Sequence, residues 1–165
     1  MFNINDTVLY GSHGACRVID ITEKEFCGKI GLYYILEPMF DDRCTFFVST
    51  DNELAAAHLR PVLPEPQVRQ LIRDMPATAA EWIDNPKLRK ARYGQIIANG
   101  DRRELIALIK ALHDHQLRQQ ASGKKLNMSD EQSLKTAEKM LYHEIALALD
   151  LPPEQVVPFI VAQLG

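Results

Sequence analysis

The hydrophobic rhythm of the chain changes near residue 60. From Thr7 to Val48, β-branched and aromatic residues dominate and glycines interrupt them, a pattern of short strands joined by tight turns. Four runs stand out: residues 7–11 (TVLYG), 15–25 (ACRVIDITEKE), 31–37 (GLYYILE) and 44–49 (CTFFVS). The segments between them carry turn chemistry. Gly11-Ser-His-Gly14 can supply positive φ, Cys27-Gly28-Lys29 closes a hairpin, and Asp41-Asp42-Arg43 is a polar loop. Four or five such strands predict a small, strongly bent antiparallel sheet or barrel, whose unclosed edges would be open to pairing with another protein.

Pro61, Pro64 and Pro66 mark a junction, and beyond it the apolar positions recur with helical spacing. Val68, Leu71, Ile72 and Met75 form one stripe, stopped by Pro76. Thr78 and Glu81 have the spacing of a capping box, which would open a turn carrying Trp82. Asn85 before Pro86 is a helix start, and Gly100 is a natural stop. Asp101 and Glu104 repeat the capping arrangement ahead of Leu105, Leu108, Ile109 and Leu112. After a break at 121–125, Ser129 and Gln132 would cap a helix with Leu134, Ala137, Leu141 and Ile145 inward. Asp150-Leu-Pro-Pro153 opens a final short helix through Val157 and Ile160. The expected architecture is therefore α+β: a bent antiparallel sheet over 1–63, then an all-α bundle of four or five short helices over 64–165.

Composition narrows the class without naming a function. With 46% hydrophobic and 25% charged residues in 165, the chain is ordinary for a folded globular protein, which excludes disordered and fibrous classes. It has no uninterrupted apolar run of about 18 residues, and its N-terminus, MFNINDTVLY, lacks the basic and apolar regions of a signal peptide. Neither a membrane partner nor export is expected, and the expected compartment is the cytoplasm. Cys16, Cys27 and Cys44 are odd in number and spaced unlike a disulfide framework or metal knuckle, so they read as reduced thiols.

The search for chemistry points away from catalysis. Neither a phosphate-cradling glycine loop nor a nucleophile elbow occurs in the sequence. His113 and His115 point apart on a helix, and His143-Glu144 lacks the second histidine of a zinc-binding HExxH. Cys16 and His13 lie in a turn before a strand, without the helix terminus or buried pocket that activates a thiol. No enzyme activity, metal, cofactor or small-molecule substrate is expected.

Charge is where the chain departs from the ordinary. The net charge of −3 conceals a segment, 87–125, with 10 basic against 3 acidic residues. An acidic protein with one basic patch approaches a polyanion in one orientation, since fields of exposed charges decay within about 8 Å at physiological salt. Lys87, Arg89, Lys90 and Arg92, with Arg102 and Arg103 across the Gly100-Asp101 break, follow closely on Trp82. Such a group can hold phosphates while the indole enters a groove or stacks on an unpaired base. Alternatively, Trp82 caps the core of the bundle and the bases form a solvated face. The residues alone leave both open.

The string Phe2-Asn-Ile-Asn-Asp-Thr-Val-Leu-Tyr10, then His13-Gly14, Tyr33-Tyr34-Ile35-Leu36, Phe47-Val48 and Leu59-Arg60, resembles the CarD/CdnL family of bacterial transcription regulators. The same small domain occurs in the transcription-repair coupling factor. Trp82, the arginine-rich stretch ending Arg92-Tyr93, Gly100-Asp101, and Ala137-Glu138-Lys139-Met140-Leu141 leading to Glu144-Ile145-Ala146 resemble the family's helical domain. The resemblance implies a Tudor-like (SH3-like) N-terminal domain that binds the β subunit of RNA polymerase, and a helical domain that touches promoter DNA. It would make Trp82 a minor-groove wedge at the upstream edge of the transcription bubble, with Arg89, Lys90 and Arg92 on the nearby backbone. Lys24 matches a basic position used against the polymerase. Two positions depart from the family pattern. Phe47 stands where many relatives carry an arginine before the valine of the last long strand, and Ile83-Asp-Asn-Pro-Lys-Leu88 separates the tryptophan from the arginines that it directly precedes in many relatives.

Overall fold

The computed structural model describes residues 1–41 and 44–165; Asp42 and Arg43, expected within a polar loop, lie outside the described residues. The chain is α+β, a five-stranded antiparallel sheet followed by helices. β1 (Thr7–Tyr10), β2 (Ala15–Phe26), β3 (Lys29–Pro38), β4 (Phe46–Ser49) and β5 (Leu59–Pro61) lie in the order β4-β3-β2-β1-β5. The long β2–β3 hairpin turns through Cys27 (φ 53°) and Gly28 (φ 78°), the paired positive dihedrals whose twist matches that of the strands they join. Register slips by one residue between Val18 and Asp20. This bulge moves the inward positions of β2 from even numbers (Cys16, Val18) to odd (Ile21), bending the strand around its core. Val8, Cys16, Val18, Tyr34, Leu36, Val48 and Leu59 fill that core.

Two elements between β4 and the junction carried too little sequence signal to be placed individually. α1 (Glu53–Ala56) is a single turn capped by Asn52, whose side-chain oxygen accepts from the N–H groups of Leu54 and Ala55. β5 is three residues ending in proline, short for a strand, and pairs with β1.

The helices are α2 (Glu65–Asp74), α3 (Pro86–Asn99), α4 (Arg102–Ala121), α5 (Met128–Leu149) and α6 (Val156–Leu164). α3 begins and ends where local chemistry expects: Asn85 accepts from Lys87 and Leu88, and Gly100 closes the helix in the left-handed conformation at φ 68°. Asp101 likewise caps α4, accepting from the Glu104 N–H at 2.9 Å. Two expected caps are corrected. Thr78 and Glu81 form no capping box: the Thr78 hydroxyl donates back to the Asp74 carbonyl, while the Glu81 N–H goes to the Ala107 carbonyl of α4. α5 is capped by Asn127, two residues ahead of Ser129, because Asn127 captures the Asp130 N–H at 2.8 Å. α4 and α5, at 20 and 22 residues, are also longer than the short helices expected. Leu105, Leu108, Leu112, Leu134, Ala137, Leu141 and Ile145 are buried as their spacing requires. No single helix among the described residues is long and apolar enough to cross a membrane.

The sheet and the helices are packed against each other. His143 on α5 is buried, and its Nδ1 accepts from the Ala15 N–H at 3.0 Å. Burial lowers the pKa of this imidazole, and the accepting role of Nδ1 requires the neutral ring. Gly14, at φ 79°, leaves room for that ring; a Cβ there would collide with it. One residue on, Glu144 accepts from the Leu63 N–H at 3.0 Å and from Arg102 at 2.6 and 2.7 Å. From the sheet, Arg60 donates to the Gly100 carbonyl at 2.7 Å. These contacts set the orientation of the two halves, which the proline-marked junction alone leaves undetermined.

Candidate nucleic-acid interface

The basic segment divides into committed and uncommitted cations. Arg89 is the clearest correction: it is not a solvent-facing phosphate ligand but is buried, 4% exposed. Its guanidinium meets Asp130 through Nε at 2.9 Å and NH2 at 2.7 Å, and NH1 donates to the Ile83 carbonyl at 2.8 Å. The hydrogen bonds that Arg89 donates to Asp130 raise the pKa of its guanidinium, which keeps it charged. The helix repeat explains the burial, since Arg89, Tyr93 and Ile96 stand at i, i+4 and i+7 on the inward face of α3. Tyr93 is covered too; its hydroxyl donates to the Glu81 carbonyl at 2.7 Å, and burial pushes its pKa up to about 12.

Arg92 and Arg102 are half-exposed and also committed. Arg92 bridges Glu81 at 2.6 Å and Glu104 at 3.0 Å, tying the loop before α3 to the start of α4. Arg102 is held by the buried Glu144. Lys110 donates to the backbone carbonyls of Met75 and Thr78. Much of the positive charge counted in the sequence is thus balanced by Asp130, Glu81 and Glu144, acids outside the 87–125 segment. Lys87 and Lys90, near the N-terminal end of α3, and Arg103, on α4, remain exposed.

Trp82 answers to neither simple alternative. It is half-buried and packs against the helical core. It is also held from several sides: Nε1–H donates to Asp84 at 2.8 Å, the His115 ring stacks at 4.1 Å between centroids, and the Arg89 guanidinium lies 4.5 Å from the ring centre. Lys87 and Lys90 follow within the first helical turns beyond. Asp84 was not singled out in the sequence, and His115 was weighed there only as a metal ligand; the i+2 spacing of Asp84 was its only local signal, and the stacking of His115 on Trp82 lies in tertiary structure.

A second surface belongs to the sheet. Cross-strand pairing places Lys24, Phe26, Tyr33 and Phe47 on the face opposite the small core. Phe47 is 45% and Phe26 42% exposed, and their rings meet edge to face at 5.6 Å. Tyr33 joins at 4.9 Å from Phe26. An exposed aromatic cluster beside a lysine is the make-up of a protein-docking surface. The two-residue spacing of Lys24 and Phe26 was the signal that could have added Phe26 to Lys24 and Phe47. Among the described residues, no group of histidine, cysteine or acidic side chains is arranged to hold a metal ion.

Residues 2–62 match the family model of the CarD-like/TRCF RID domain, a span that contains all five strands and α1 and ends before α2. No curated protein matches the chain at a significant level. Residues 2–62, the sheet of this chain, are therefore a CarD-like/TRCF RID domain, from a family of non-enzymatic domains that interact with RNA polymerase.

Proposed function

We propose that the chain is a bacterial transcription regulator that docks its sheet on the β subunit of RNA polymerase and stabilises the promoter open complex. In this reading residues 1–63 engage the polymerase, with Lys24 and Phe47 at the contact, and residues 64–165 contact DNA at the upstream edge of the bubble. The observation that carries it is the half-exposed, braced indole of Trp82 beside Lys87 and Lys90, on a bundle packed against an RNA polymerase-interacting sheet.

The mechanism is differential binding. A wedge that fits only widened or unstacked DNA favours the open state, and base-to-aromatic stacking of about 1–3 kcal/mol shifts that equilibrium roughly 5- to 150-fold. An indole already held by Asp84, His115 and Arg89 loses little freedom on contact. Lys87 and Lys90 meet phosphates; Arg89 and Arg92 serve as positioning residues, one beneath the indole and the other bracing Glu81 next to it. Docking on the polymerase raises the local concentration of the wedge at one DNA step, so weak DNA contacts suffice.

The test is the lifetime of open complexes formed by the cognate polymerase, with and without the full chain, under competitor challenge. The chain is expected to lengthen it. Trp82→Ala is expected to abolish the gain while polymerase binding persists; equal loss of both on a folded variant assigns Trp82 to the core instead. A second reading, a protein adaptor on the polymerase without DNA contact, is favoured by the internal pairing of Arg89, Arg92 and Arg102. Steep salt dependence of binding to DNA, absent with free polymerase, counts against it.

A further inference from the structure

Three arginines converge on one cleft where the end of α3, the start of α4 and β5 meet. Arg60, Leu71, Asn99, Arg102, Arg103 and Glu104 line it around the Gly100-Asp101 bend, enclosing about 680 Å³. The acids at its wall are already engaged. Glu104 is paired with Arg92 at 3.0 Å, and the Asp101 carboxylate accepts the N–H that opens α4. Arg102 is held by Glu144. The other two guanidiniums are not. Arg60 uses NH1 on the Gly100 carbonyl at 2.7 Å, and its remaining N–H groups have no hydrogen-bond partner among the described residues. Arg103 and Asn99, also on the cleft wall, are exposed to solvent. Burial, and after it the neighbouring Arg102, depress the pKa of Arg60 against the opposing pull of Glu144 and Asp101.

We propose that this cleft binds a diphosphate group, with Arg60 holding it from the sheet and Arg103 from the bundle. Planar guanidinium forks match phosphoryl oxygens two at a time, and forks on two separate elements suit two linked phosphoryl groups. The site lies at the C-terminal end of α3, and Glu104 on its wall is joined through Arg92 to Glu81, the neighbour of Trp82. It stands on its own observations and does not depend on contact with promoter DNA. Since its two arginines belong to different halves of the chain, occupancy would tighten the junction between them.

The experiment is a titration of the full chain with inorganic pyrophosphate at constant ionic strength, read by amide chemical shifts and by the thermal midpoint. Saturable shifts at Gly100, Arg102 and Arg103 with a rising midpoint are expected. Arg103→Ala, at an exposed position, is expected to weaken binding about tenfold or more and to leave the ligand-free midpoint unchanged. Arg118→Ala, which removes an equal exposed charge farther along α4, is expected to leave binding unaltered. Arg60→Lys, which keeps the charge and loses the fork, is expected to weaken it. Absence of saturation, equal affinity in Arg103→Ala, or stoichiometric displacement of pyrophosphate by a short DNA duplex would overturn the proposal, the last by assigning the cleft to a DNA-contacting face.

Discussion

Arg89→Ala distinguishes a residue that holds the bundle together from one that holds DNA. Arg89 and Asp130 are each only 5% exposed in their side chains and share bonds of 2.9 and 2.7 Å. Truncation leaves the Asp130 carboxylate inside without its cation, a condition that costs about 3–5 kcal/mol. The indole of Trp82 loses its guanidinium neighbour, and the Ile83 carbonyl loses its donor, which adds at most about 1 kcal/mol given their partial access to water. In a chain of this size, a destabilisation of about 3–5 kcal/mol lowers the thermal midpoint by roughly 6–20 °C. The assay is urea unfolding followed in parallel by circular dichroism and by Trp82 fluorescence, whose coincidence tests the two-state assumption. Lys90→Ala, exposed on the same helix, is expected to stay within about 0.5 kcal/mol of the parent. Replacing the pair together, Arg89→Met with Asp130→Leu, is expected to recover most of the loss, since a buried ion pair contributes little beyond an apolar pair of similar volume. Equal stability of Arg89→Ala and Lys90→Ala would refute a structural role for the Arg89–Asp130 pair.

Further outcomes follow from particular contacts. Gly100→Ala is expected to destabilise by at least about 1–2 kcal/mol in urea unfolding: it forces a left-handed residue and puts a methyl 2.9 Å from the Arg60 guanidinium carbon. His143 is neutral and its pKa is depressed in the folded chain, so its contribution is fully present above about pH 6.5 and is lost as pH falls from there through the lower native value. Unfolding midpoints between pH 8 and 5 should fall toward acid less steeply in His143→Gln than in the parent; identical slopes would rule out His143 as a source of the acid sensitivity. Charge from Lys139 and Asp41, which also face this imidazole, stays constant in that comparison. The Lys87→Ala, Lys90→Ala double variant is expected to reduce the slope of log affinity for DNA against log salt by about 1.8, or about 0.9 for each phosphate no longer neutralised, and an unchanged slope would place the DNA face elsewhere.

What was legible in the sequence was local. Asn85-Pro86, Gly100 and Asp101 set helix ends because each acts on a backbone group within four residues. The strand runs were legible because β-branched and aromatic residues gather between turn-forming segments, whereas the bulge at Val18–Asp20 left no such mark. Thr78 and Glu81 misled because Ala107, far along the chain, offers the Glu81 N–H a partner and Arg92 takes its carboxylate. Arg89 stands apart from the other candidate DNA residues for a related reason. Charge counting treats Lys90 and Arg89 alike, whereas the helical repeat turns one outward and the other toward Asp130, 41 residues away. The spacing of Arg89, Tyr93 and Ile96 carried that information, but a charged residue on an apolar stripe announces burial only when its partner is known.

Leu63, in the connection between the sheet and the bundle, is itself bonded to Glu144. The connection is therefore not a tether whose length can be tuned. A partner that takes the sheet meets the bundle at one angle, because the freedom to orient one against the other is lost when the chain folds and not when it binds. A second contact made by the bundle is spared that entropy. The same arrangement removes tolerance: where a flexible linker would absorb a displacement of a few ångströms, here the partner has to bend.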